Sequence, residues 1–482
     1  MAIDKLTLGD RLTGHLVDGV PDTPFQAAIL DLSEQHGVRL EVPYVSYDEA
    51  GQFKHVQEWF RDETAPTNLV LHTADGPISF FGNRWNGHSE NMGRNVSLGK
   101  LKPAETVLAS RDGELADELR VQTVRSRLDG LNEWTRLSAT TDERETDDEH
   151  RVQAVTYKLR SPEEVQWRHC DATLTLRAEW RVEERTDGYN RAVELSDNVV
   201  LESQFDDGPR SFFDHFAEQR KVASLLVFLY GRQISFREHK VQDERFASRM
   251  MDGRVYHHPF VELISERTVR ERFTPAPSRK ELGRAIAHLQ QIGPDGLSEW
   301  STQYDAWSRF ILPSAGVLSR KRAFIEDRVI STSMSLEAAG AMIGERPGEK
   351  ETYGRGRPST ATNIYRCLDL LQVDWGKHVV SDVGLARAIA NNYNDVKHAD
   401  RGDFPNSEHT YLVSSVNSLL VRLLALHLTG KGDELLEPYR NGDELWGIRQ
   451  RFESVGVRVT EEGVWDEVTS EDRDQQVGRG GS

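Results

Sequence analysis

Short apolar runs alternate with polar and turn residues over the first part of the chain, as in LTGHLVDG, FQAAILDL and GVRLEVPYVSY. Alternation with a period of two, clearest at Val38, Leu40 and Val42, turns one side of each segment toward a core and predicts strands. Asp75-Gly76 stands between two such runs and is typical of a hairpin turn. Residues 1–139 are therefore predicted to form a β-rich module, a sandwich or a barrel.

A second β-rich stretch follows a charged segment. TTDERETDDEH, residues 140–150, concentrates like charge without apolar anchors and predicts an exposed loop or linker. AVTYKL, ATLTLRAEWRVEE and RAVELSDNVVLES then predict strands, and apolar positions from Phe212 to Leu229 recur at helical spacing. Residues 140–275 are predicted as a second β-rich module with a packed helix, or as the second half of one module.

The pattern changes to helical spacing over most of residues 280–445. The segments predicted as helices are RKELGRAIAHLQQI, LSEWSTQYDAWSRFIL, KRAFIEDRVISTSMSLEAAGAMI, STATNIYRCLDLLQVDW, DVGLARAIANNYNDVKH and HTYLVSSVNSLLVRLLALHLT. The last has leucines on more than one face, which predicts a central helix in a bundle. The fold class is therefore α+β multidomain: a β-sandwich-like N-terminal region, an all-α helical bundle over residues 276–445, and a flexible polar tail over 446–482.

Composition narrows the class of protein. A hydrophobic content of 37% and a charged content of 29% are typical of a water-exposed globular chain. Two cysteines, Cys170 and Cys367, exclude a disulfide framework or a cysteine-based zinc site. Without a signal sequence or an uninterrupted apolar run of membrane-spanning length, we expect a cytoplasmic protein that does not enter a membrane. The net charge of −18 disfavours nonspecific duplex binding but allows a local basic cleft.

Several familiar chemical motifs are missing from the sequence: a Walker-type loop, a dinucleotide fingerprint, HExxH and GxSxG. Adjacent His257 and His258 point to opposite faces of an extended chain and favour a structural role over a metal site. RWNGHSENMGRN, residues 84–95, predicts a polar loop that could recognise a ligand. The residues of this possible ligand loop are Arg84, Trp85 and His88.

Polar side chains are most concentrated in ARAIANNYNDVKHADR, residues 386–401. On a helix, Asn391, Asn394 and His398 share one stripe because spacings of three and four lie on one face. An imidazole can accept a proton from a ribose 2′-hydroxyl while cations or amides stabilise the phosphate, so metal-free RNA cleavage is open to such a site. From the residues alone, capping of the helix end is the simpler interpretation.

The order of short motifs then adds a family resemblance. LTGHLVDG, ISFFGNRWNGHS and SRLDGLNEW, followed by ISTSMSLEAAG and YNDVKHADRGDFP, resemble the ApeA-like anti-phage proteins over most of residues 10–430. The resemblance implies a HEPN helical domain after the β-rich region, no cofactor or metal, and a homodimer formed through the helical domain. It also implies RNA as substrate, with tRNA as one candidate, and a phage-derived trigger in an abortive infection response.

One feature of the HEPN pattern is missing. HEPN ribonucleases carry an Arg, then four to six residues, then a His, and counting back from His398 these spacings fall on Tyr393, Asn392 and Asn391. His398 matches the family's base, and Glu337 is similar to an acidic position of the first HEPN helix. Phosphate stabilisation would then fall to Lys397, Arg401, Arg387 or a residue of a partner chain.

Three hypotheses follow. In the first, the protein is a metal-independent endoribonuclease with an N-terminal sensing region, whose catalytic residues are His398, Asn394, Asn392, Lys397 and Glu337 and whose phosphate-binding residues are Arg387, Asn391 and Arg401. In the second, the missing Arg leaves a catalytically inactive HEPN-type module that dimerises or binds RNA or a phage protein. In the third, the loop from Arg84 to His88 serves a carbohydrate- or peptide-binding enzyme.

Overall fold

The computed structural model describes residues 5–20, 26–46, 51, 53–89, 93, 95–111, 115–160, 163–398 and 405–468. The chain divides into two units. The first, Met1–Arg220 with Ser235–Arg279, is called the β unit, and the second, Lys221–Ile234 with Lys280–Ser482, is called the helical unit. A β-rich N-terminal region followed by a helical region confirms the predicted fold class.

Strands account for most of the β unit. Their bounds are β1 (Arg11–Val17), β2 (Gln26–Ser33), β3 (Gly37–Val45), β4 (Leu69–Thr73), β5 (Gly76–Phe81), β6 (Arg84–Ser89), β7 (Val96–Lys102), β8 (Glu105–Val107), β9 (Arg120–Val121), β10 (Thr123–Leu128), β11 (Thr140–Thr146), β12 (Val152–Leu159), β13 (Glu164–His169), β14 (Ala172–Asp187), β15 (Asn190–Phe205), β16 (Arg210–Ser211), β17 (Phe236–Gln242), β18 (Ser248–Arg249), β19 (Val255–His257) and β20 (Val261–Ser265).

A single antiparallel sheet joins the two predicted β modules. Within the described residues it has 14 strands in the order β13-β14-β15-β10-β17-β20-β8-β5-β4-β1-β2-β3-β7-β6. The link across the expected boundary at residues 139/140 runs through β10, which pairs with β15 on one side and β17 on the other. The β unit is therefore one sheet-based body in which residues 1–139 and 140–275 do not separate.

The predicted alternation sets the register of the sheet. Leu30 of β2 pairs with Leu40 of β3, and both side chains are fully buried in one apolar cluster. Gly99 of β7 lies beneath the Phe60 ring, where an added Cβ would come within 2.1 Å of the ring. Glycine at this position lets the ring close the core, a fit that any side chain would prevent.

The charged segment 140–150 is not the loop that the sequence predicted. Its first residues form β11, which pairs with β12 in a separate two-stranded hairpin, and every residue of β12 is exposed. Backbone hydrogen bonds and cross-strand ion pairs such as Lys158–Glu143 hold such a hairpin without an apolar face. The prediction was wrong because it required apolar anchors for a strand.

The helices follow the predicted periodicity. Their bounds are α1 (Lys54–Arg61), α2 (Leu131–Thr135), α3 (Phe212–Tyr230), α4 (Val269–Arg272), α5 (Arg279–Leu282), α6 (Leu289–Ala306), α7 (Ser308–Leu318), α8 (Ile325–Ile343), α9 (Thr360–Leu371), α10 (Asp382–Lys397), α11 (Ser407–Leu426), α12 (Gly432–Arg440) and α13 (Trp446–Val455). Two segments differ: RKELGRAIAHLQQI is not one helix, because α5 ends at Leu282 and α6 begins only at Leu289. LSEWSTQYDAWSRFIL is divided at Trp307 between α6 and α7.

The C-terminal stretch 446–482 is structured where it is described, unlike the flexible tail that was expected. It forms α13 and then a two-stranded hairpin, β21 (Val457–Val459) with β22 (Trp465–Glu467). Phe452 and Val459 are buried at 1% and 0% exposure. A few well-spaced apolar anchors thus suffice to dock a mainly polar segment on the helical unit.

The helix α11 is central to the helical unit, as its leucines predicted. The segment Ser407–Arg440 is long and apolar enough to cross a membrane by length and composition. Its most apolar window is, however, 83% buried inside the protein, as in the core helix of a soluble protein. It contacts α8, α9 and α13, which cover its faces.

Candidate functional site

The helix α10 carries the residues with the richest predicted chemistry, and both of its ends are defined by backbone hydrogen bonds. The Ser381 side chain accepts a bond from the Gly384 N–H at 3.1 Å, so it caps the N-terminus. His398 is the C-terminal cap, with φ −111° and ψ 93°, and its N–H donates to the Asn394 carbonyl at 3.0 Å. The imidazole of His398 is therefore placed where the helix ends, beside its last carbonyl groups.

The expected stripe is present and open to solvent. Asn391 and His398 are exposed and Asn394 is half-buried, as their shared helical face predicted. Lys397 is exposed, and its Nζ lies 3.3 Å from the Tyr393 hydroxyl and 5.2 Å from the centre of the Tyr393 ring. The contact holds an ammonium group one residue from the imidazole.

Asn392 belongs to a different face of the same helix. Its side chain is buried at 5% exposure, and its amide nitrogen donates to the Thr410 hydroxyl at 3.0 Å. The amide nitrogen is thus bonded inside the protein and Asn392 is not part of the exposed stripe, while its assigned role in orienting the phosphate or the imidazole stays a prediction. The sequence alone could not separate Asn391 from Asn392, since both fit a HEPN spacing.

Two other predicted residues are engaged elsewhere. The Arg387 guanidinium donates to the carbonyl oxygens of Glu461 at 3.1 Å and Glu351 at 2.6 Å. These bonds tie α10 to the C-terminal hairpin and to the turn before α9, and they fix two of the guanidinium nitrogens within the protein. The Glu337 carboxylate of α8 accepts a bond from the Thr360 hydroxyl at 3.1 Å, at the start of α9. Arg401 lies outside the described residues.

The possible ligand loop is an edge strand. Arg84, Trp85 and His88 lie on β6, which pairs with β7 at the end of the sheet. Arg84 forms an ion pair with Glu266, and the Trp85 and His88 rings lie 6.1 Å apart. The assignment to a loop was wrong because Gly87, at a φ of 107°, allows an irregular strand where turn residues suggested a loop.

The site that the sequence analysis missed lies in the helical unit. Tyr411, Ser414, Ser415, Ser418 and Arg422 recur at intervals of three and four on α11 and line a cavity of about 620 Å³. The signal was visible as a polar stripe on the most apolar helix of the chain. It was overlooked because the leucines on the other faces dominate the composition of this segment.

The end of α10 carries an imidazole that can transfer a proton, and the cavity is lined by a cationic side chain, that of Arg422. The exposed imidazole of His398 is free to approach a ligand from solvent, with Lys397 as the nearest described cation along the helix. Imidazole and ammonium together can deprotonate a hydroxyl and attract a phosphate, although two cations stabilise a phosphate better than one. The exposed stripe of α10 therefore presents an imidazole and amide groups on one open face.

Comparison with known proteins adds one match. A family model described as ApeA N-terminal domain 1 matches residues 17–266, which is more than half of the 482-residue chain and covers most of the β unit. No curated protein and no solved structure matches the chain. The matched region includes neither α10 nor the residues of α11 that line the cavity.

Proposed function

The chain belongs to the ApeA N-terminal domain 1 family, and from this membership we propose that it is an anti-phage defence protein whose helical unit cleaves RNA without a metal ion. The β unit would recognise a phage-derived trigger and control the helical unit. The observation that carries the nuclease part of the proposal is that His398, at the end of α10, and Lys397, the residue before it, are both exposed.

The roles follow from the exposed stripe. His398 takes the proton of the ribose 2′-hydroxyl or returns one to the leaving oxygen, and Lys397 attracts the phosphate. Asn394 and Asn391 donate amide hydrogen bonds to phosphate oxygens, which are weaker than bonds from a charged donor. A homodimer formed through the helical unit would supply the missing cation from the second copy, so RNA, a phage product and the second copy are the proposed partners.

A second candidate function is a non-catalytic HEPN-type module that dimerises or binds RNA or a phage protein. Its support is that none of the three positions at a HEPN spacing before His398 is an arginine, so a phosphate beside His398 lacks the expected guanidinium of the same chain. Charge-assisted bonds to phosphate are roughly twice as strong as neutral ones, so their loss would weaken catalysis severely.

RNA cleavage by the purified full-length protein decides between the two. Labelled tRNA and messenger RNA are incubated with EDTA present, with and without extract of phage-infected cells, using wild type, His398→Ala and His257→Ala. His257 is an exposed histidine of the β unit and serves as the matched control. We expect cleavage by wild type and His257→Ala and its loss in His398→Ala.

The remaining outcomes separate the hypotheses. Equal cleavage by wild type and His398→Ala removes His398 from the mechanism. No cleavage by wild type under either condition, together with a dimer in sedimentation, favours the second candidate.

A further inference from the structure

A cavity of about 620 Å³ lies within the helical unit, and none of the described residues assigned to RNA cleavage lines it. It is bounded by α8, α11, α12 and α13 and by the segment that precedes α6. Its size falls within the range of roughly 300–1,000 Å³ that is usual for small-molecule sites. The cavity can therefore enclose a ligand much larger than a single ion.

The wall formed by α11 is polar along one stripe. Tyr411, Ser414, Ser415, Ser418 and Arg422 line the cavity, and all lie three or four residues apart along the stripe. Elsewhere this helix is apolar and buried, with Leu412, Leu420 and Leu423 at 0% exposure. The Ser415 and Ser418 hydroxyls donate to the Tyr411 and Ser414 carbonyls of the same helix, so the charged donor that α11 itself brings to the cavity is Arg422.

Four arginines contribute to the lining, Arg284, Arg328, Arg422 and Arg451, against a single carboxylate, Glu444. In the described part of the chain none of the four forms an ion pair with a carboxylate. In a chain of net charge −18 this concentration of positive charge is local and specific to the cavity. It favours an anionic ligand.

Two of the arginines are held in place with donors to spare. Arg422 donates from Nε to the Phe228 carbonyl and from Nη2 to the Leu229 carbonyl, both at 2.8 Å, which fixes its plane and leaves Nη1. The Nε of Arg328 is buried and has no hydrogen-bond partner among the described residues.

An aromatic surface accompanies the charge. The Arg451 guanidinium lies over the Tyr411 ring, 5.6 Å from its centre, and both side chains are exposed. Planar guanidinium and phenol groups are surfaces on which nucleobases stack. Arginine forks bind phosphate oxygens in pairs, which lysine cannot do. The cavity therefore combines groups that donate hydrogen bonds to phosphate, a surface for stacking and sufficient volume.

We propose that this cavity binds a free nucleotide, with its phosphates on Arg328, Arg422 and Arg284 and its base against the Arg451–Tyr411 pair. The site is separate from His398 and does not depend on whether the helical unit cleaves RNA. A bound nucleotide would contact α11, the helix to which the buried face of α10 is bonded through Thr410.

Calorimetric titration of the full-length protein tests the proposal. The probes are ATP, GTP, CTP and UTP, the four nucleosides, inorganic phosphate and a ten-nucleotide RNA. At least one triphosphate should bind, with its nucleoside and inorganic phosphate binding at least about tenfold more weakly. Arg328→Gln and Arg451→Gln should each weaken that binding about tenfold, the effect of one charge-assisted contact.

Arg309→Gln is the matched control, since Arg309 is an exposed arginine of α7 outside the cavity. It should change affinity by less than about twofold, and so should His398→Ala, which separates this site from the proposed nuclease site. Arg451 is exposed, so its variant reports on binding even where Arg328→Gln fails to fold. Binding of none of the triphosphates, equal binding by the Arg451 variant, or binding of the RNA alone would overturn the proposal.

Discussion

Asn392 donates a hydrogen bond to the Thr410 hydroxyl, 3.0 Å away, and both side chains are buried where α10 meets α11. The Thr410 hydroxyl donates in turn to the Asn406 carbonyl at 2.9 Å, in the capping turn of α11. Asn392 Oδ1 is buried without a hydrogen-bond partner among the described residues. One of the positions that fit the spacing of the missing HEPN arginine is therefore occupied by a buried side chain bonded to α11.

Thr410→Val tests this bond. The change keeps the shape of the side chain but leaves the Asn392 amide donor without its acceptor, at a cost of about 1–3 kcal/mol. We expect the free energy of unfolding, measured by urea titration, to fall by that amount. Asn391→Ala, on the exposed face of the same helix, should change it by less than about 0.5 kcal/mol. Similar losses for the two variants would contradict the buried role of Asn392.

A buried ion pair predicts acid sensitivity of the helical unit. Arg366 donates from Nε to Glu349 Oε2 at 2.7 Å and from Nη2 to Oε1 at 3.0 Å, and both side chains are buried. The Arg366 bonds lower the pKa of Glu349 from 4.5 to about 2. A carboxyl group whose pKa is lower in the folded than in the unfolded chain stabilises the fold at any pH above its unfolded pKa. That stability is lost as pH falls from 4.5 toward 2.

Glu349→Gln should lower the free energy of unfolding at neutral pH by about 3 kcal/mol, because it leaves Arg366 as a buried charge without its partner. The variant should also lose less further stability than wild type between pH 4.5 and the most acidic pH at which both remain folded. Glu345→Gln, at an exposed position four residues earlier, is the control. An acid dependence that is the same in wild type and Glu349→Gln would refute the assignment.

Buried histidines of the β unit predict a second pH dependence. His239 contacts the hydroxyls of Ser126 at 2.7 Å and Thr268 at 2.9 Å, and His215 contacts the Ser203 hydroxyl at 2.9 Å. Burial lowers the pKa of His239 from 6.5 to about 3 and that of His215 from 6.5 to about 4. At a pH between the lowered pKa of each histidine and 6.5, the unfolded chain binds more protons than the folded chain, so stability falls as pH drops below 6.5.

The pH dependence of stability is compared between variants and wild type, because the buried carboxyl group of Glu105 contributes a pH dependence of the opposite sign. Burial raises its pKa from 4.5 to about 7, so its share of stability is lost as pH rises over that interval. His239→Gln and His215→Gln should each give a shallower slope of unfolding free energy against pH than wild type between pH 6.5 and 4. His257→Gln, at an exposed position, should leave the slope unchanged, and unchanged slopes in all three variants would rule out the buried histidines.

Periodicity predicted most elements because burial follows it directly. Leu30 and Leu40 face the core from paired strands, and α10 runs from Asp382 to Lys397 as its spacing required. The strand β11 escaped prediction because it has no apolar face, and α13 because its buried side chains are few. Elements stabilised mainly by the backbone or by tertiary contacts leave little periodic signal.

The candidate site was harder to predict than the fold. Helical spacing correctly placed Asn391, Asn394 and His398 on one open stripe. It could not show that Arg387 is bound to two backbone carbonyls, since those carbonyls come from segments distant in sequence. It also gave no indication that the stripe on α11 faces a cavity, because enclosure depends on the packing of several helices.

The exposed Asn391 allows the missing arginine to be restored. Asn391→Arg places an arginine before His398 with six residues between the two, a spacing typical of HEPN ribonucleases. The position is exposed, so a long side chain has room there. If the helical unit cleaves RNA, a guanidinium beside the phosphate should raise the cleavage rate with EDTA present by about tenfold or more. Asn391→Gln controls for size, and the double variant with His398→Ala should be inactive. Faster cleavage by Asn391→Arg that persists in the double variant would place the chemistry elsewhere, and an unchanged rate would mean that this stripe does not meet the phosphate.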